Sequence, residues 1–216
     1  MELLKGIKNI IFDLGGVVIN IDYQITINEL RKLGMVEIDK LFNQYRQEPW
    51  CDSLDRGHIS SQQFIFNLKN HLPDTVSEDQ VIKAWNAMVL DFPEPRAELL
   101  KKIKKDYNTL LLSNTNELHI DYYFGKLKEW YGINDMSPFF HKEYYSHIIG
   151  KRKPDAEIYE FILSENNLKP EETLFIDDNI QNIEGAAKLG IRSFLLEKPQ
   201  TIIDVFADKY LTTRKS

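Results

Sequence analysis

Short apolar runs that end on polar residues alternate along this chain with segments of helical period. That alternation predicts an α/β protein with a parallel sheet covered by helices on both faces. Ile7 to Phe12 reads as a buried strand that delivers Asp13 onto the turn Gly15-Gly16. A helix from Arg96 to Lys105, with Leu99, Leu100 and Ile103 inward, precedes a strand from Asn108 to Leu112 that ends in Ser113-Asn114-Thr115-Asn116. Tyr144 to Ile149 is strand-like and ends at Gly150-Lys151-Arg152-Lys153-Pro154, and a helix follows from Asp155 to about Glu165. Thr173 to Ile176 is a strand ending in Asp177-Asp178-Asn179, and the next helix, with Ile183, Ala186, Ala187 and Leu189, stops at Gly190. Arg192 to Leu196 is the last strand expected, and Thr212 to Ser216 reads as a frayed polar tail.

Between the first strand and this repeating pattern the texture changes. From about Tyr23 to Leu90 the chain is polar and rich in aromatics, with Ile27, Leu30 and Leu33, then Ile38, Leu41, Phe42 and Tyr45, at helical spacing. Ser60 with Gln63, and Ser77 with Gln80, are two helix-start signals ahead of apolar periodic runs. Three or four helices and no strand are expected here. Phe92-Pro93-Glu94-Pro95 breaks the pattern and returns the chain to the main body. The expected organisation is therefore a core of residues 1–20 and 91–216 with a helical insert over 21–90.

Composition narrows the class of function. A chain of 216 residues holds one sizeable core and a smaller module. A formal charge of −6 argues against a nucleic-acid surface, whose affinity comes mostly from Lys and Arg. The single cysteine, Cys51, excludes an internal disulfide and a multi-cysteine metal cluster, and reads as a small buried hydrophobe. No apolar run reaches membrane-spanning length and the first residues lack a signal-peptide core, so a cytoplasmic protein without a membrane partner is expected.

Candidate chemistry sits at the strand ends: Asp13, Ser113 with Asn114, Lys153, and Asp177 with Asp178. Singly, each has a structural explanation, as a turn, a solvated loop or a helix cap. A doubly wound sheet brings all four to one edge, where its ligands bind. Three carboxylates meeting there repel, by about 4 kcal/mol per pair at 4 Å and an effective dielectric near 20. A divalent cation removes that cost, and oxygen ligands without a His or Cys cluster favour Mg²⁺. For Asp13 to attack a phosphoryl group two anions must meet, which calls for Mg²⁺ and a fixed cation such as Lys153. Ser113 and N–H groups after Gly15 and around Asn114 are placed to hold phosphoryl oxygens, and an aspartyl-phosphate opened by water follows from those parts.

The set Asp13-Leu14-Gly15-Gly16-Val17, Ser113-Asn114-Thr115-Asn116, Gly150-Lys151-Arg152-Lys153-Pro154-Asp155 and Phe175-Ile176-Asp177-Asp178-Asn179 resembles the four motifs of the haloacid dehalogenase-like hydrolase superfamily, across essentially the whole chain. The resemblance implies a Rossmann-like core with a mobile helical cap. It implies Asp13 as nucleophile, Mg²⁺ on Asp13, the Gly15 carbonyl and Asp178, and Asp177 as a supporting or additional metal contact. Ser113 is then the phosphate ligand and Lys153 the steadying cation. The wording of the first two motifs is similar to bacterial sugar-phosphate phosphatases, including those acting on glucose 1-phosphate. One departure stands out: Gly15 occupies the place where most phosphatases of the family carry a second Asp as general acid and base. His119 and Asp22 are the candidates to replace it, and the residues around Trp50 to Gly57 are candidate substrate contacts from the insert, with Arg56 the one to test. The expected function is Mg²⁺-dependent hydrolysis of a small phosphorylated metabolite. A catalytically weak phospho-ligand binding or regulatory protein is one alternative, and a hydrolytic dehalogenase a lesser one.

Overall fold

Strand residues alternate between two apolar layers, and that alternation fixes how the chain is wound. The computed structural model describes residues 2–38 and 49–211. The expectations for Leu41, Phe42 and Tyr45, and for the tail Thr212 to Ser216, lie outside the described residues. Strand β1 (Asn9–Phe12) leads into four described helices, α1 (Tyr23–Lys32), α2 (Pro49–Asp55), α3 (Ser61–Lys69) and α4 (Glu78–Asn86). There follow α5 (Glu94–Asp106), β2 (Asn108–Ser113), α6 (Glu117–Tyr131), β3 (Lys142–Tyr145), a single turn α7 (Ser146–Ile149) and α8 (Ala156–Glu165). The chain continues through β4 (Thr173–Asp177), α9 (Ile180–Ala187) and β5 (Arg192–Leu195) to two short turns, α10 (Ile202–Val205) and α11 (Ala207–Tyr210).

All four strand pairings are parallel, in the order β3-β2-β1-β4-β5. Ile10, Phe12, Leu111 and Ile176 face a layer built by Leu99, Leu100 and Ile103 of α5 and Ile120 and Leu127 of α6. Ile11, Leu110, Leu112 and Phe175 face the opposite layer, with Ile158 and Ile162 of α8 and Ala186 of α9. The result is the α/β, Rossmann-like sheet expected from the pattern. Successive crossovers run to one side of β1 and then to the other, so the winding reverses between β1 and β4, where such sheets open a crevice.

The helices after β1 join the first layer: Phe64, Leu68, Val81 and Trp85 belong to the same buried cluster as Phe12 and Leu100. Both sequence start signals are realised. Ser60 Oγ accepts from Gln63 N–H, and Ser77 and Gln80 cap each other reciprocally. The chain enters and leaves this segment side by side, with Asn20 N–H donating to Asp91 O and Leu90 N–H to Asn20 O. One expectation needs correction, and one element was not foreseen. The strand-like run Tyr144 to Ile149 is strand only through Tyr145. Ser146 is buried and its Oγ donates to Thr115 O while accepting from Thr115 N–H, which turns the chain into α7. Helix α6 is an element that the apolar pattern does not single out, because exposed Tyr122 and Trp130 blur its period.

Thr26 ties α1 to the end of α4: its hydroxyl donates to Trp85 O at 2.9 Å and accepts from Met88 N–H at 3.0 Å, fully buried. Thr26→Val keeps the shape but strands both backbone groups, and is expected to lower the unfolding free energy in urea by about 1–3 kcal/mol.

Candidate active site

Apolar β1 ends at Phe12, and the next residue, Asp13, is 8% exposed on the floor of a cavity of about 120 Å³. Carboxylate oxygens of Asp13, Asp177 and Asp178 lie within 4.8 Å of one another. Between two of them sits Lys153, 1% exposed, with Nζ donating to Asp13 Oδ1 and to Asp177 Oδ2 at 2.6 Å each, and to Leu112 O at 2.9 Å. Burial disfavours the ammonium, yet the two carboxylates outweigh it and hold Lys153 above the ordinary lysine range. Burial raises Asp13 well above the ordinary carboxyl range; Lys153 opposes the shift, while Asp177 and Asp178 reinforce it. Asp178 is raised too, by burial and then by Asp177. One ammonium does not offset three acids, and this oxygen-only cluster fits a hard divalent cation.

Asp177 and Asp178 are not equivalent. Asp177 is fully buried, and its oxygens accept from Lys153, from Asn179 N–H and from Asn182 Nδ2. Asp178 lines the cavity with Asp13 and Gly15, whereas Asp177 does not. Gly16 is what lets Asp178 come so close. Its φ of +79° suits glycine, and a β-carbon there would overlap Asp178 Oδ2.

Ser113, the last residue of β2, and Asn114 line the same cavity. The Asn114 side chain is committed to the backbone of Lys153, donating to its carbonyl at 2.7 Å and accepting from its N–H at 2.9 Å. Asn114 thus holds Lys153 in place. From the segment after β1, Ile21, Tyr23, Asp55, Met88 and Val89 complete the walls. Arg56 is not among the lining residues. Its guanidinium is occupied by Asp52 at 2.8 Å and Asp155 at 2.6 Å, and the arginine that does line the cavity is Arg152. Asp22 caps α1 by accepting from Gln24 N–H and is likewise absent from the walls. His119 does line the cavity, but burial lowers its pKa to about 3, so it is neutral and no proton donor of the imidazolium kind. Asp55 falls within the stretch Trp50 to Gly57 that the sequence offered for substrate contact, whereas Tyr23, which sequence reasoning did not select, carried no motif. Arg152 did, since it neighbours Lys153 within the third motif.

The pattern shared by haloacid dehalogenase-like hydrolases matches residues 7–190. The chain belongs to that family. This hydrolase is 30% identical to D-ribitol-5-phosphate phosphatase of Bacteroides thetaiotaomicron over 87% of its own length and 91% of that protein. It is 27% identical to the sesquiterpene phosphatase astK of Aspergillus oryzae, over 85% and 87% of the two chains. Among solved structures, an alanine variant of a HAD family enzyme from B. thetaiotaomicron, crystallised with magnesium and inorganic phosphate, superposes with a TM-score of 0.87. That match has 29% identity and covers 93% of this chain and 98% of the other.

Gly16→Ala forces the left-handed backbone onto a residue with a β-carbon and pushes Asp178 aside. It is expected to lower stability in urea unfolding by at least about 1–2 kcal/mol.

Proposed function

We propose that this hydrolase is a Mg²⁺-dependent phosphomonoesterase acting on a small phosphorylated metabolite, a sugar or polyol phosphate, through an aspartyl-phosphate. The observation that carries this reading is the buried contact of Lys153 with Asp13, with Asp178 beside it, on the floor of a polar cavity. The activity of the Bacteroides relative and the magnesium and phosphate held by the Bacteroides structure support it.

Asp13, Asp178 and the Gly15 carbonyl would hold the metal, which offsets the charge that builds when a phosphoryl group approaches Asp13. Lys153 pulls the Asp13 pKa down against burial and aims its carboxylate, and Asp177 with Asn114 keeps Lys153 in place. The Asp13 oxygen attacks phosphorus as the bond to the leaving-group oxygen breaks. Ser113 and the adjoining main chain hold the phosphoryl oxygens in flight. Water then opens the acyl phosphate, releasing inorganic phosphate and regenerating the Asp13 carboxylate. Cavity-lining Asp55 and Tyr23 face the leaving group, and the helical segment 21–90 acts as a cap over the core of 1–20 and 91–216. A dehalogenase reading is disfavoured by the acid cluster, because displacement of halide from carbon brings no phosphoryl charge for a metal on those acids to balance.

Gly15 leaves no acid at the second position of the first motif, and the space is filled. A β-carbon at Gly15 would stand 2.9 Å from the δ1 methyl of Ile21. The leaving group is therefore one that departs with little protonation, or one protonated through water.

Asp13→Asn is expected to abolish hydrolysis in a panel of sugar and polyol phosphates while leaving the folded circular dichroism spectrum unchanged. Wild-type activity should vanish in EDTA and return with excess Mg²⁺; turnover by Asp13→Asn at wild-type rate would sink the assignment. General acid–base help is typically worth about 10²–10⁴-fold. Gly15→Asp combined with Ile21→Ala should accordingly raise kcat on alkyl phosphates, whereas Gly15→Asp alone, blocked by Ile21, should raise it less.

A further inference from the structure

We propose that His119 determines specificity by presenting a neutral imidazole whose Nε2 accepts a hydrogen bond from a hydroxyl on the substrate's leaving group. The assignment rests on the phosphomonoesterase reading above and adds a residue and an atom to it. His119 stands in the first turn of α6, where its N–H is capped by Asn116 Oδ1. Its Nδ1 lies 2.8 Å from Asn86 Oδ1 at the end of α4. An amide oxygen only accepts, so Nδ1 carries the proton, and a neutral imidazole then has its lone pair on Nε2. The ring is stacked on Trp85, with centroids 5.2 Å apart and planes 11° from parallel, which fixes its orientation.

Two polar groups face the same space. Beside the main cavity, and sharing Tyr23, Asp55, Asn114 and His119 as walls, lies a smaller one of about 50 Å³ that also has Asn116 in its lining. Asp55, from α2, accepts from Asn116 Nδ2 at 3.2 Å and has Arg152 at 3.6 Å. Tyr23, from α1, is held in its neutral phenol form by burial and then by the neighbouring acids Asp178, Asp13 and Asp55. Asn86 and Trp85, from α4, carry no charge. Burial keeps His119 unprotonated, so the acceptor persists through neutral pH. With an imidazole lone pair and a carboxylate side by side, the inner end of the site asks for O–H donors. A polyhydroxylated chain supplies them, and a hydrocarbon leaves the Nε2 lone pair without a donor.

His119→Phe keeps the stacked ring and removes the acceptor; His119→Gln returns a carbonyl oxygen near the place of Nε2. Wild type and both variants are assayed in Mg²⁺ on a pentitol phosphate, on pentyl phosphate and on p-nitrophenyl phosphate, which has no leaving-group hydroxyl. The expected result is a loss of about 10- to 100-fold in kcat/KM on the pentitol phosphate for His119→Phe, mostly in KM. Pentyl and p-nitrophenyl phosphate should change less than about twofold, and Gln should recover much of the pentitol activity. Equal losses on all three esters, or no loss on the pentitol phosphate, would overturn the proposal. Nitrogen-15 spectra of the wild-type histidines provide a readout without turnover, with His119 expected as the Nδ1–H tautomer and untitrated from pH 5 to 8. A charged ring or an Nε2–H tautomer overturns the assignment of His119 even if hydrolysis is observed. Failure of the wild type to hydrolyse any of the esters overturns the phosphomonoesterase reading instead, and the spectra still decide the tautomer.

Discussion

A single ammonium group, Lys153 Nζ, sets the terms for the rest of this structure. Removing it from water costs several kcal/mol unless it is closely paired. Here it is met by Asp13, Asp177 and the Leu112 carbonyl, groups carried by the ends of β1, β4 and β2. Three neighbouring strands must therefore end at the same level, and the register supplies this: Phe12 pairs with Leu111 on one side and Ile176 on the other. Asn114 grips both sides of the Lys153 peptide unit, and Asn182 from α9 fixes Asp177. An acid that would be a liability at the end of a buried strand thus becomes one member of a supported network.

The three acids outnumber the one ammonium among them, and the excess negative charge faces the cavity. Asp177 is turned into the protein and Asp178 outward, although they are adjacent and chemically identical. What separates them is the start of α9, where Asn179 donates its N–H to Asp177 and Gly16 makes room for Asp178. Glycine at position 16 serves backbone conformation and close approach. At position 15 it leaves space that Ile21 fills, so the two glycines of one motif serve different purposes.

Contacts between the helical segment and the sheet edge fall on the loop that carries Lys153. Arg56 bridges Asp52 of α2 to Asp155, and Arg152 reaches Asp52 and Asp55. These pairs are partly exposed, and each is worth little in stability, typically about 0–1 kcal/mol. Their effect is alignment: the segment that supplies Asp55 and Tyr23 is keyed to the residues on either side of Lys153. The buried bond of Asn116 to Asp55 and the partly buried bond of His119 to Asn86 make the same link deeper in, between α6 and the segment's own helices.

Apolar periodicity, set locally by strand and helix geometry, was enough to determine every strand of the sheet but β3, which it placed too late, together with the helical texture after β1 and the convergence of Asp13, Ser113, Lys153 and Asp178. Parallel strands can end their polar residues only at one edge. The helix caps at Ser60 and Ser77 were legible for the same reason, since each bond spans three residues. Distances across the fold were not legible. Arg56 and Arg152 both end in ion pairs, and only the tertiary structure sets Arg152 in the cavity wall and leaves Arg56 off it. His119 reads as a candidate acid until burial against Trp85 and the bond to Asn86 make it an acceptor. Both decisions depend on partners far along the chain, Asp155 for Arg56 and Asn86 for His119, whose effect arises from desolvation and contact, which spacing along a chain does not encode.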